Sequence, residues 1–211
     1  MAALTLPEAL LLLGFDADRE TTRHGLALNY ALAGAQLSEL VLAGKIAVET
    51  EHVLVIDATP TGDPQLDDLL AKIASTSDRR RRPGHWVMKR KSNAVATYSR
   101  RLCGARALTR RRTRVLGIVP RTVFPIVNVA AREQALAEVS AALSSPAEPQ
   151  PPEAALIALL HVTGLARKLF DDPEQRARAK RIAEGDVVAT AVKRAVDAVN
   201  ASGAGAVAAG S

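Results

Sequence analysis

The residues of this chain that could do chemistry are four histidines, one cysteine and a few paired acids. His24, His52, His85 and His161 are far apart in sequence, and none has a second His, a Cys or an acid at metal-ligand spacing, so a zinc site is not expected. Asp67-Asp68 and Asp171-Asp172 are adjacent pairs, and neighbours on a helix point to different faces, which argues against one acid/base site using both carboxylates. Asp16 and Asp18 read as turn or cap residues. Cys103 lies among arginines, which favour a thiolate, but its setting is read as that of a buried helical cysteine. His161 falls in an apolar helix and reads as a satisfied core residue. No phosphate-binding Gly-rich loop, dinucleotide fingerprint or serine elbow is present. These features point away from an enzyme, with no cofactor and no metal.

The chemistry that stands out is charge. From Arg79 to Arg132 the chain places 16 Lys and Arg in 54 residues with no Asp or Glu, leaving 12 bases against 22 acids elsewhere. The net charge of +6 is therefore the sum of two opposed regions. Concentrating like charge costs self-repulsion and is not needed for folding, so this stretch predicts a positive face for a polyanionic partner. Trp86 lies within it, and a lone Trp after a loop reads first as an anchor to the core and second as a membrane-interface or stacking residue.

The elements that must position these bases read as mostly helical. Ala, Leu, Val and Arg dominate the 211 residues, and the length suits one domain with a full core. A short helix over 4–14 is capped by Thr5 with Glu8 three residues later, and Leu10 to Leu13 make it apolar on every face. Gly25 to Ala43 is the clearest helix, with Ala31, Ala33, Gly34 and Ala35 allowing another helix close, and Gly44 as its stop. A β-hairpin follows over Lys45 to Asp57. Asp63 and Pro64 then open a helix through Ile73.

Trp86 to about Gly104 reads as one helix with Lys89, Arg90, Lys91, Arg100 and Arg101 looking outward. Ala107 to Val119 reads as a second hairpin with Arg110, Arg111 and Arg112 at its turn. Arg121 to Val129 is an apolar extended piece, and helices follow over 130–143, 154–170 and from Asp186 to Val199. The expectation is a mainly α, single globular helical domain with short β-hairpins over residues 1–201, and a disordered Gly/Ala-rich tail over 202–211. One cysteine rules out an intrachain disulfide. The N-terminal segment lacks the basic leader of a signal peptide, and no apolar run approaches the ~20 residues of a membrane span. The expected location is cytoplasmic, with peripheral membrane association.

The segments LTLPEALLLLGFD, ALAGAQLSELVLAGKI and PTGDPQLDDLL together resemble the Golgi phosphoprotein 3 family. So do the helix-borne Trp followed by RRLCGARALTRRRTRVLGIVPRTVFPI, and the later EAALIALLHVTGL. The resemblance covers about residues 4–200 and is that of a bacterial-type member. It implies a mostly helical, non-catalytic domain with short hairpins that binds phosphatidylinositol 4-phosphate at a membrane surface, with membrane-protein cargo and self-association as further partners. The family's basic N-terminal tail is not expected, because the resemblance begins almost at Met1. The family's pocket Trp and three pocket bases align with His24, Ala33, Ser92 and Val95, none of which keeps the family side chain. Arg23, His24, Lys89, Arg90, Lys91, Arg100 and Arg101 are the nearby headgroup-binding candidates. Val123, Phe124, Ile126 and Val127 align with a family hairpin implicated in membrane contact and self-association, and read equally as ordinary core.

Two functions use the same charges. One is a peripheral membrane protein that binds anionic phospholipid (phosphoinositide) headgroups. The other is a nucleic-acid-binding module in which the helix and the Arg-tipped hairpin act as a winged-helix-like element. Few aromatic or amide side chains are available to read bases, and the family resemblance favours lipid.

Overall fold

The computed structural model describes residues 4–16, 21–22, 25–49, 52–76, 81–90, 94–115 and 119–208. Helix α1 (Leu6–Gly14) starts at Thr5, whose backbone N–H donates to Glu8 Oε2 at 3.0 Å, the capping box read from the sequence. Leu10, Leu11, Leu12 and Leu13 are fully buried, so α1 is central, as its all-round apolar character requires. Strands β1 (Phe15–Asp16) and β2 (Thr21–Thr22) pair antiparallel, so Asp16, expected as a turn or cap residue, lies in a strand.

Helix α2 (Gly25–Leu42) follows and packs against α1. Gly44, at φ +67°, turns the chain after it, a conformation in which glycine carries no Cβ penalty. Strands β3 (Ile46–Glu49) and β4 (His52–Val55) form the expected hairpin. Lys45 Nζ meets Asp57 Oδ2 at 2.5 Å across its base. Helix α3 (Pro64–Ala74) begins where expected, with Asp63 Oδ1 accepting from the Gln65 N–H at 2.8 Å.

The single helix expected from Trp86 to Gly104 is two, α4 (Pro83–Arg90) and α5 (Ala94–Gly104). Trp86, Val87, Ala94, Tyr98 and Leu102 are buried on the two helices, so each has its own inward face. The second hairpin is shifted along the chain. Strand β5 (Arg111–Val115) pairs with β6 (Val119–Val123), Arg111 opposite Val123 and Val115 opposite Val119. The arginine triplet thus enters the first strand and does not form the turn. The period-2 pattern of this stretch admits either register, and a slip of a few residues moves the turn.

Helices α6 (Val129–Ser144), α7 (Pro151–Val162), α8 (Ala166–Leu169), α9 (Pro173–Gly185) and α10 (Val187–Ala208) complete the chain. The core helix expected over 154–170 is broken at Gly164 (φ +74°). The backbone of α10 runs as helix to Ala208, into the segment expected as an irregular tail. Helix α2 packs on α4, α7 and α10 as well as α1. At Gly34 an added Cβ would stand 2.5 Å from Val192 Cγ2 and 3.2 Å from Leu159 Cδ2, so the small residues of α2 admit α7 and α10 as the sequence suggested.

Candidate anion-facing surface

The bases singled out in sequence fall into three groups. Arg23, His24 and Lys91 lie outside the described residues, and Arg90 closes α4 with its backbone described and its side chain not. Lys89 and Arg100 are exposed, on α4 and α5 respectively. Lys89 Nζ lies 5.9 Å from the centroid of the Trp86 ring, within cation–π range. Trp86 itself is buried, with its ring edge-on to His85 at 5.2 Å between centroids. It is the core anchor of α4, and it holds the first turns of that helix and the base one turn later in place. Among the described residues Arg100 has a long 3.4 Å contact from its guanidinium to Thr97 Oγ1, and the side chain is exposed.

Arg101 forms the third group, and it turns inward. Its Nε donates to Glu8 Oε1 at 2.9 Å and its Nη1 donates to Asp63 Oδ2, while the guanidinium carbon sits 5.3 Å from the Tyr98 ring centroid. Glu8 is the capping-box acid of α1 and Asp63 is the N-cap of α3. One guanidinium therefore ties α5 to the N-termini of two other helices, a task suited to the planar fork of Arg. Burial works against its charge, but the hydrogen bond to Asp63 and the nearby Glu8 carboxylate hold its pKa above the ordinary value. Sequence reasoning put Arg101 among the outward-looking bases because helical spacing beside Arg100 fits either face. The acids that claim it lie far away in the chain.

Arg110, Arg111 and Arg112 are exposed along the entry to β5, and adjacent strand residues point to opposite faces. They do not form the arginine tip that a wing entering a nucleic-acid groove would present. The hairpin residues aligned with membrane contact are mostly spent indoors. Val123 is buried, Phe124 and Ile126 pack partly buried against the core, and Val127 alone is well exposed, at 55%.

The other reactive candidates have structural employment. Asp67 Oδ1 accepts from the Thr61 N–H (2.6 Å) and hydroxyl (2.7 Å), whereas Asp68 pairs with Lys72 at 2.8 Å, so the two carboxylates diverge as expected. Asp172 caps α9 through the Glu174 N–H at 2.8 Å. Burial pushes the Cys103 thiol pKa up against the opposing pull of Arg110, the direction opposite to thiolate activation. His161 is half-buried beside Arg167, and burial followed by that charge lowers its pKa. Among the described residues no three His, Cys, Asp or Glu gather as metal ligands. Also among them, no helix is long and apolar enough to cross a membrane. Sequence reasoning passed over Arg194, which α10 contributes to a cleft that Arg81 and Arg82 also line. No local signal couples that helix to the basic loop.

A mainly helical domain with antiparallel two-stranded pairings and exposed bases on successive helices is the class that fold and surface define. The family model Golgi phosphoprotein 3 (GPP34) matches residues 6–199, and the chain belongs to that family. No curated protein matches it. Membership carries a general lipid- and Golgi-associated role, and the family is non-catalytic.

Proposed function

We propose that this protein is a peripheral membrane protein that holds anionic phospholipid headgroups against the bases of α4 and α5. The observation that carries the reading is the acid-free run of 16 bases from Arg79 to Arg132, of which Lys89 and Arg100 present exposed charge on neighbouring helices. Arg23, His24, Arg90 and Lys91 belong to the same proposed surface by sequence. Arg101 is left out, because its charge is satisfied by Glu8 and Asp63. Each base near an anionic leaflet contributes on the order of 1 kcal/mol, so four or five give useful binding that fades with salt.

Family membership supports a phosphatidylinositol 4-phosphate-like headgroup as the ligand, and an adaptor role toward membrane-protein cargo. The pocket positions His24, Ala33, Ser92 and Val95 have lost the family's side chains, and Ala33 is fully packed within α2. A headgroup is therefore read here through charge on the surface more than through a shaped pocket. The test is co-sedimentation with neutral vesicles and with anionic vesicles across a salt series, with duplex DNA at ~50 mM salt in parallel, where phosphate contacts are strongest. Binding to anionic vesicles alone, weakening with salt, is the expected result. Equal binding to neutral vesicles removes the reading, and tight duplex binding without vesicle binding transfers the charge to nucleic acid.

A further inference from the structure

A cleft of about 830 Å³ opens between the start of α4, the β3–β4 hairpin and one long face of α10. That volume is within the range of small-molecule sites. Its lining is divided in chemistry. Three cations line it, Arg81, Arg82 and Arg194, all exposed. The field there is positive enough to be felt by His85, whose pKa is lowered by burial and by the charges of Arg81 and Lys89. Two acids share the lining, and each has a partner on its own stretch of chain. Asp186 accepts from the Ala189 N–H at 2.7 Å as the cap of α10, and Glu184 pairs with Lys180 at 3.7 Å.

Much of the remaining lining is apolar, beside His52 and Thr190. Met88 is 45% exposed and Val187 is 48% exposed, two of the few large hydrophobic side chains left to solvent among the described residues, and both line this cleft. Between them α10 offers Ala191 and Ala195, small residues that leave the floor low. Apolar surface left exposed inside a concave site whose charged lining holds three arginines against two acids, one of them a helix cap, suits a ligand with two ends.

We propose that this cleft is a binding site for a single-chain amphipathic anion. Its phosphate or carboxylate head would meet Arg81 and Arg194, and its alkyl chain would lie over Met88, Val187, Ala191 and Ala195. The site is discrete and takes one monomeric ligand. It does not depend on the vesicle-surface reading above, which uses Lys89 and Arg100.

The test uses the full chain and dodecyl phosphate below its micellar concentration, followed by calorimetry and by fluorescence of Trp86. That residue is the only tryptophan and stands edge-on to His85 of the cleft. Inorganic phosphate alone and a neutral dodecyl maltoside are the controls. The expected result is saturable one-to-one binding of dodecyl phosphate. Both controls should bind at least about tenfold more weakly, since each offers only one end of the ligand. Arg194→Glu and Val187→Asp, both at exposed positions, should each weaken dodecyl phosphate about tenfold or more while melting like the parent.

Absence of saturable binding overturns the proposal. So does binding that both variants leave unchanged, or a control that binds as tightly as dodecyl phosphate. Arg100→Glu separates this site from the membrane face. It should weaken vesicle binding and leave dodecyl phosphate affinity within about twofold.

Discussion

Arg101 offers the most demanding test of how the basic segment is divided between structure and function. Replacing it with alanine leaves the carboxylates of Glu8 and Asp63, whose side chains are only 13% and 17% exposed, without their shared cation. Breaking a fully buried pair costs 3–5 kcal/mol and a surface pair up to about 1. The Arg101 side chain is 33% exposed, and each acid keeps a second donor, Glu8 from the Thr5 N–H and Asp63 from the Gln65 N–H. Arg101→Ala should therefore cost about 2 kcal/mol, placed between those limits. For a domain of this size that is a Tm lower by about 4–8 °C. Arg101→Lys should recover only part, because a single ammonium cannot reproduce a fork reaching two acids. Thermal melts by circular dichroism, with vesicle co-sedimentation below the melting range, supply both readouts. The melt should fall and the vesicle binding per folded molecule should stay within about twofold. A variant that melts like the parent but loses vesicle binding would refute the argument, and would place Arg101 on the headgroup.

Further expectations follow from the packing, one backbone outlier and one carboxylate. Gly34→Ala should lose about 1 kcal/mol net, because overpacking against Val192 costs 1–3 kcal/mol while helix propensity returns about 1. Adding Val192→Ala, which removes the clashing methyl, should make the double variant more stable than the sum of the singles, readable in urea melts. Arg106 sits at φ 57° after α5, a left-handed position that favours glycine, and Arg106→Gly should raise stability by about 0.5–1 kcal/mol. The hydrogen bond from Lys45, then those from Thr59, lower the Asp57 carboxyl pKa from its ordinary 3.8 to about 2. A depressed folded-state pKa contributes stability that is full above the ordinary value and is lost as pH falls through the folded one. The advantage of the parent over Asp57→Asn should therefore be present at about pH 5, shrink as pH falls toward about 2 and vanish only below it in paired melts.

Local rules carried much of the fold. The Thr5–Glu8 box, the Asp63 cap before Pro64 and the Gly44 stop are short-range signals, and the elements they bound stand where those residues put them. The errors came where local pattern is degenerate. Apolar and basic residues mix from Trp86 to Gly104, so the split into α4 and α5 left no mark on the periodicity. The β5–β6 register depends on pairing that a run of arginines does not specify. The surface was legible as charge but not as geometry. That Arg101 is claimed by Glu8 and Asp63, and that Arg194 lines one cleft with Arg81, are facts of tertiary packing between distant segments.

The central claim is that exposed bases of α4 and α5 meet an anionic leaflet. Its most direct test is co-sedimentation of the parent and a Lys89→Glu/Arg100→Glu double variant. The vesicles would carry matched negative charge, supplied either by a general anionic lipid or by phosphatidylinositol 4-phosphate. At on the order of 1 kcal/mol per base, reversing two charges should weaken binding to both vesicle types by roughly thirtyfold or more. Full binding by the double variant would contradict the account and move the membrane contact away from these helices.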